Sequence, residues 1–178
     1  MSGRGVFRVG VTRDIRREDG GCTLGDIGLG MLEATPGVDW AFLEKDVDEL
    51  TPDLVTGFDA LVVWGSAITA GTVANADRLS LVARLGVGYD AVDVEALTRA
   101  GIALAITPDG VRRPIASGAL TFLLALSHQL LIKDRLTRDG QWDEAYDHIG
   151  VGLEGRTLGV IGAGNYASAT FLPALRGI

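Results

Sequence analysis

The sequence predicts an α/β fold built around a doubly wound parallel sheet. Short apolar runs alternate with helical segments across short connections, which is the pattern of parallel strands joined by crossover helices. Run 60–64 (ALVVW) is continuously apolar, as expected of a strand covered on both faces. With 178 residues, 47% of them hydrophobic, the chain can bury a substantial core. The predicted strands are 7–12, 40–43, 60–64, 81–85 and 102–106.

Four helical segments are predicted between or beside these strands. A helix could start at 27–32, although Gly28 and Gly30 weaken it. Pro52 is expected at the first turn of a short helix, where its missing N–H costs nothing. Further helices are predicted at 73–78 and 92–100, the last of them stopped by a glycine.

The longest predicted helix opens at Pro114 and runs to the cations that precede Gly140. Its apolar residues cover more than one side, so we expect it to be buried between domains or between subunits. We place the domain boundary near residues 107–108, just before this helix. The apolar positions at helical spacing are Ile115, Ala119, Phe122, Leu126 and Leu130.

A dinucleotide-binding pattern follows a predicted strand at 158–161 (LGVI). In such a pattern the first glycine permits a tight turn, the second admits a pyrophosphate, and the third small residue lets the helix pack closely. The phosphate would sit on the free N–H groups of that helix. An ordinary strand-turn-helix junction is the alternative. The candidate cofactor-binding residues are Gly162, Gly164, Asn165, Tyr166 and Ala167.

Charge and cysteine content narrow the possible partners. A formal net charge of -7 argues against nucleic acid, which requires a basic face. No apolar run approaches the length of a membrane span, so we expect no membrane partner. The single cysteine, Cys22, excludes an internal disulfide and favours a reducing, cytoplasmic location. Since its neighbours supply no base, we expect an inert thiol, and we predict no metal site.

Several linked motifs, in order, resemble the D-isomer-specific 2-hydroxyacid dehydrogenases, a family that includes D-phosphoglycerate and D-lactate dehydrogenases. The resemblance covers most of residues 6–165. It is carried by residues 83–93 (ARLGVGYDAVD), 107–114 (TPDGVRRP), the apolar helix 120–131 and the glycine-rich stretch 152–165.

This resemblance implies a flavodoxin-like substrate domain at 1–107. An interdomain helix and an incomplete NAD-binding Rossmann domain at 108–178 would follow. It also implies hydride transfer between NAD or NADP and a small 2-hydroxy or 2-oxo acid. The backbone N–H groups of Val87 and Gly88 would bind the substrate carboxylate, consistent with a glycine-flanked turn at a strand's carboxyl end. The alternative is a plain strand-to-helix turn with Asp90 or Asp93 as the helix cap.

The departures from the family also matter. Its catalytic Arg, Glu and His have no counterpart here, so no catalytic residue is assigned. We therefore expect that the chain is truncated within the cofactor domain. By itself it should have no catalytic activity, and it should bind NAD weakly. The alternative is a non-catalytic pseudo-enzyme or dimerisation module, and in either case a homodimer through the long helix is expected. His128 is predicted to be a packed or interface residue and His148 to be solvated, while Pro173 should interrupt the helix after the glycines.

Overall fold

A computed structural model describes residues 5–162, 164 and 171–175. The chain divides into two compact units, Met1–Pro108 and Asp109–Ile178, which are described separately. Among the described residues, no single helix is both long and apolar enough to cross a membrane. Two consecutive helices that meet at 62° satisfy that criterion of length and composition only when taken together.

The first unit contains a five-stranded sheet in which every strand pair is parallel. The strand order is β2-β1-β3-β4-β5, which is the flavodoxin-like doubly wound order. The predicted fold class is therefore confirmed, and each of the five strands predicted between residues 7 and 106 corresponds to an observed one. The strands are β1 Phe7–Val11, β2 Val38–Phe42, β3 Ala60–Val63, β4 Leu81–Arg84 and β5 Ala103–Ala105.

Short helices connect the strands, and right-handed crossovers place one on one face of the sheet and three on the other. Pro52 lies at the first turn of its helix and Gly101, with φ of 71°, follows the last, both as predicted. The main core lies on the three-helix side, where Leu61, Val63 and Val82 are completely buried. The helices are α1 Leu29–Glu33, α2 Pro52–Val55, α3 Ala70–Val73 and α4 Val94–Arg99.

The regular structure described in the second unit is helical. It contains α5 Pro108–Ser127, α6 Leu130–Arg138, a 3₁₀ turn Asp143–Asp147 and α7 Leu172–Ala174. The prediction that Pro114 opens the long helix was wrong, because α5 begins six residues earlier and Pro114 lies inside it. Pro108 supplies the same start signal, and a helix of 20 residues tolerates one missing backbone bond.

The long helix was also predicted to be continuous to its final cations, and instead it breaks at Gln129. This residue has φ of 52°, the left-handed region that non-glycine residues rarely adopt. Its side-chain amide donates to the Ile149 carbonyl at 3.1 Å, and its oxygen lies 3.2 Å from the His148 ring. His148 is therefore half-buried rather than solvated. His128 is exposed at the break, so it is not packed within this chain, and the alternative of an interface residue stays a prediction.

Candidate substrate-binding edge

The candidate site lies at the carboxyl edge of the sheet. Since all five strands are parallel, the loops that follow them meet at one edge, where open α/β sheets bind ligands. The loops after β1 and β3 are tied together here. The Thr12 hydroxyl, which is buried, accepts from the Trp64 N–H at 3.2 Å. The Asp14 carboxylate accepts from the Gly65 N–H at 2.6 Å. These bonds fix the backbone at the point where the chain reverses its winding direction.

The loop after β4 presents two consecutive unpaired donors. The Leu85 N–H still donates to the Val63 carbonyl at 2.8 Å, as a continuation of the ladder. The N–H groups of Val87 and Gly88 donate to no acceptor among the described residues. Val87 is half-buried and Gly88 is exposed, so a ligand can reach them from solvent. Adjacent free N–H groups of this kind form an anion-binding nest.

The residue before these donors, Gly86, is held firmly. Its N–H donates to the Thr107 hydroxyl at 2.8 Å, and its carbonyl accepts from the Thr107 N–H at 2.9 Å. The Arg84 guanidinium donates to the adjacent Leu85 carbonyl at 2.9 Å. With φ of 141°, Gly86 adopts a backbone conformation that side chains disfavour. Neither Thr107 nor Arg84 was predicted as a site residue, although a threonine between a strand and a proline was an available signal for Thr107.

The two aspartates after the loop have different roles. Asp93 is the N-cap of α4, and its carboxylate accepts from the Ala96 N–H at 2.8 Å. Asp90 is exposed and makes no such bond. Of the two predicted caps, the structure selects Asp93. The capping contact accounts for this residue, so it is a structural group and is not one member of an acid/base pair.

The candidate cofactor segment is built differently. The prediction of a strand at 158–161 was wrong, because these residues adopt no regular structure, and Ile161 is fully exposed. Gly162 has φ of 84°. A Cβ at Gly162 or Gly164 would meet no described atom within 4 Å, which leaves the open space that a phosphate approaching the backbone needs. Because 158–161 is not a strand, however, the described residues lack the strand that leads into the turn of a dinucleotide site. The other candidates, Asn165, Tyr166 and Ala167, lie outside the described residues.

Pro173 lies in the first turn of the three-residue helix α7. The helix after the glycines that it was predicted to interrupt falls on residues 165–170, which lie outside the described residues, so that expectation stays a prediction.

Comparisons with known proteins identify the family. Residues 19–160 match the model of the D-isomer specific 2-hydroxyacid dehydrogenase catalytic domain. The chain belongs to this family. It is 39% identical over 128 residues to a glyoxylate reductase of Thermococcus gammatolerans, covering 68% of this chain and 38% of the relative. It is 35% identical over 150 residues to the glyoxylate reductase of Pyrococcus furiosus, covering 80% of this chain and 45% of the relative.

A solved structure is similar as well. It is the putative D-isomer specific 2-hydroxyacid dehydrogenase, NAD-binding, from Polaromonas sp. JS6 66, with a TM-score of 0.71 and 27% identity. The match covers 97% of this chain and 52% of that one. This dehydrogenase-family chain thus spans about half the length of the relatives it matches. The resemblance drawn from the sequence motifs is confirmed by these matches.

Proposed function

We propose that the unit Met1–Pro108 is the substrate domain of an NAD(P)-dependent 2-hydroxyacid dehydrogenase. The substrate would be a small 2-hydroxy or 2-oxo acid whose carboxylate binds the N–H groups of Val87 and Gly88. The observation that carries this proposal is the pair of adjacent donors without a described acceptor, at the sheet edge where such folds bind ligands. Glyoxylate is a suitable first substrate to test, because the similar proteins named above are glyoxylate reductases.

The role of this edge is to hold the acid in place. A carboxylate bound by two backbone donors has its C2 atom fixed relative to the loop, which is the positioning that hydride transfer requires. Chemistry at C2 also needs a group that accepts the hydroxyl proton and a cation that polarises the oxygen. We assign neither role to a residue of this chain. We therefore expect it to bind the acid without oxidising or reducing it.

In this proposal, residues 108–178 carry the interdomain helix and part of the cofactor domain. The cofactor would be NAD or NADP, and the binding is expected to be weak because residues 158–161 do not form the strand that precedes the glycine turn of a dinucleotide site. Calorimetry with each nucleotide tests this expectation directly. A micromolar dissociation constant for either one would contradict it.

The binding site is tested by NMR with the ¹⁵N-labelled chain. Glyoxylate or glycolate should shift the amide signals of Val87 and Gly88, and neutral glycolamide should not, because it lacks the anionic group. Gly88→Pro removes one donor and should weaken glycolate binding by about tenfold. If glycolate shifts neither amide, or if glycolamide binds equally well, the proposed carboxylate site is wrong. Reduction of glyoxylate by the chain with NADH would contradict the expectation that the chain is catalytically inactive.

A separate observation supports the alternative function, which is a dimerisation module. Phe122, Leu126 and Leu131 on α5 and α6 are 70%, 75% and 78% exposed. Large apolar surfaces of this kind mark interaction sites, and burying each side chain would contribute about 1.5–3 kcal/mol. We therefore propose a homodimer through this surface. Such a dimer is compatible with either function, since it does not depend on the carboxylate site.

Light scattering across a dilution series tests the dimer. Leu126→Glu should shift the chain to a monomer, because it places a charge in the interface. Leu24→Glu is the matched control, since Leu24 is also exposed but lies in the first unit. A monomer at tens of micromolar for the unaltered chain, or equal effects of the two substitutions, would rule the dimer out.

A further inference from the structure

The hydrogen bonds of Gly86 depart from the regular ladder between β4 and β5. Within the ladder, the Ala103 N–H donates to the Ser80 carbonyl, 23 residues earlier in the chain. The same spacing would pair the Thr107 N–H with the Arg84 carbonyl. Instead it donates to Gly86, 21 residues earlier, at 2.9 Å. The loop after β4 therefore curls back over the end of β5, and Thr107 holds it in that position.

Both polar groups of Gly86 are engaged by this one residue. The Thr107 hydroxyl accepts from the Gly86 N–H at 2.8 Å and lies 3.3 Å from the Gly86 carbonyl, to which it can also donate. The strand pairing cannot continue beyond Thr107, because the next residue, Pro108, begins helix α5. The hydroxyl thus takes over where the strand pairing ends.

Holding Gly86 also determines where the first free donor points. The Gly86 carbonyl and the Val87 N–H belong to the same planar, trans peptide group, so they point in opposite directions. When Thr107 fixes the carbonyl, it fixes the Val87 N–H as well. On the other side of Gly86, the Arg84 bond to the Leu85 carbonyl limits rotation of the preceding peptide. The free N–H is consequently preorganised before any ligand binds.

The geometry points to Thr107 as a positioning residue that aims the Val87 N–H at the substrate carboxylate through Gly86. This inference rests on the proposed function of the loop. Thr107 itself need not touch the substrate. Its hydroxyl contributes by keeping one peptide plane in the binding orientation, so its loss should weaken carboxylate binding more than it weakens the fold.

Three variants and one control test this role in the ¹⁵N-labelled chain, with oxalate as the probe. Thr107→Val and Thr107→Ala remove the hydroxyl, whereas Thr107→Ser keeps it. Thr98→Val is the matched control, because the Thr98 hydroxyl bonds within α4 to the Val94 carbonyl at 2.7 Å. We expect oxalate to bind about tenfold more weakly to the valine and alanine variants, with a reduced Val87 shift. The serine variant and the Thr98 control should match the unaltered chain.

A second readout needs no ligand. Hydrogen exchange of the Gly86 amide should accelerate when the Thr107 hydroxyl is removed, and Thr107→Ser should restore its protection. If exchange and oxalate binding are unchanged in Thr107→Val and Thr107→Ala, the positioning role is wrong while the carboxylate site stands. If oxalate shifts neither Val87 nor Gly88 in the unaltered chain, the proposed function fails and this role fails with it.

Discussion

Two segments of this chain have similar local sequences and different structures. Residues 81–88 (LVARLGVG) and 158–164 (LGVIGAG) each run from an apolar stretch into a Gly-x-Gly turn. The first contains β4, which pairs with a strand on each side, and Val82 is completely buried. In the second, residues 158–162 adopt no regular structure and pair with no strand among the described residues, and Val160 is 38% exposed.

The difference shows what the local pattern leaves undetermined. A strand is stabilised by cross-strand hydrogen bonds and by side chains packed on its faces, both of which come from distant parts of the chain. The run at 81–84 has those partners within its own unit. The two Gly-x-Gly turns also differ in their tertiary contacts. Gly86 is bonded to Thr107, whereas no described atom lies within 4 Å of a Cβ built on Gly162.

The largest effect is expected when the same substitution is made in both segments and the losses of unfolding free energy are compared. Val82→Asp buries a carboxylate without a partner, which should cost more than about 4 kcal/mol and abolish cooperative folding of the first unit. Val160→Asp should change the free energy of unfolding by less than about 0.5 kcal/mol, as is usual for exposed positions. Urea unfolding followed by circular dichroism measures both. Equal losses would mean that 158–161 is packed as tightly as β4.

A second substitution tests whether the second unit has any tightly packed contact. A Cβ at Gly150 would lie 2.6 Å from His128 Cα and 3.0 Å from the Ser127 carbonyl oxygen, where the chain packs on the end of α5. Gly150→Ala should therefore destabilise this contact by about 1–3 kcal/mol. Gly152→Ala is the matched control, since nothing lies within 4 Å of its Cβ. The measurement is amide exchange at Val151, whose N–H donates to Ser127 at 2.8 Å; equal exchange in both variants would refute the packed contact.

The helix after the first glycine loop offers a smaller effect. Asp93→Ala removes the cap of α4 and should lower the free energy of unfolding by about 1 kcal/mol. Asp90→Ala, three residues earlier, should leave it nearly unchanged because Asp90 caps nothing. Thermal unfolding of both variants provides the test. A larger loss of unfolding free energy for Asp90→Ala than for Asp93→Ala would reverse the assignment of the helix cap.

The smallest effects should come from one ion pair in each unit, because exposed pairs contribute little. Hydrogen bonds from Arg78 and from the Arg8 backbone lower the pKa of Asp59 in the first unit. A hydrogen bond from Arg138 lowers the pKa of Asp134 in the second. A lowered pKa stabilises the fold at neutral pH, and this contribution disappears as pH falls below about 4.

The two ion pairs should differ in how much they contribute to the pH dependence of stability. The Asp59 side chain is 16% exposed and that of Asp134 is 54% exposed, so salt screens the second pair more. Asp59→Asn should therefore reduce the pH dependence of the urea midpoint between pH 7 and pH 3 more than Asp134→Asn does. An equal or larger change for Asp134→Asn would show that burial does not separate the two pairs.

The sheet of the first unit and the family could both be predicted from the order of residues alone. Apolar runs of strand length, separated by segments with their own start and stop residues, define strands and helices through local forces. Pro52, Asp93 and Gly101 act on their immediate neighbours, and the structure confirms each of them. The ordered motifs at 83–93 and 107–114 likewise indicated the family without any contact information.

The remaining features could not be predicted from local patterns, because they depend on contacts between residues far apart in the chain. Gln129 is a good helix former, yet it breaks the long helix where it bonds to Ile149, 20 residues later. The run at 158–161 has strand-like residues and forms no strand, since strand pairing requires a neighbour. The bond from Gly86 to Thr107 joins two loops 21 residues apart. Sequence spacing does not predict that Gly86 and Thr107 bond to each other, because parallel strands bring these loops together only when the sheet forms.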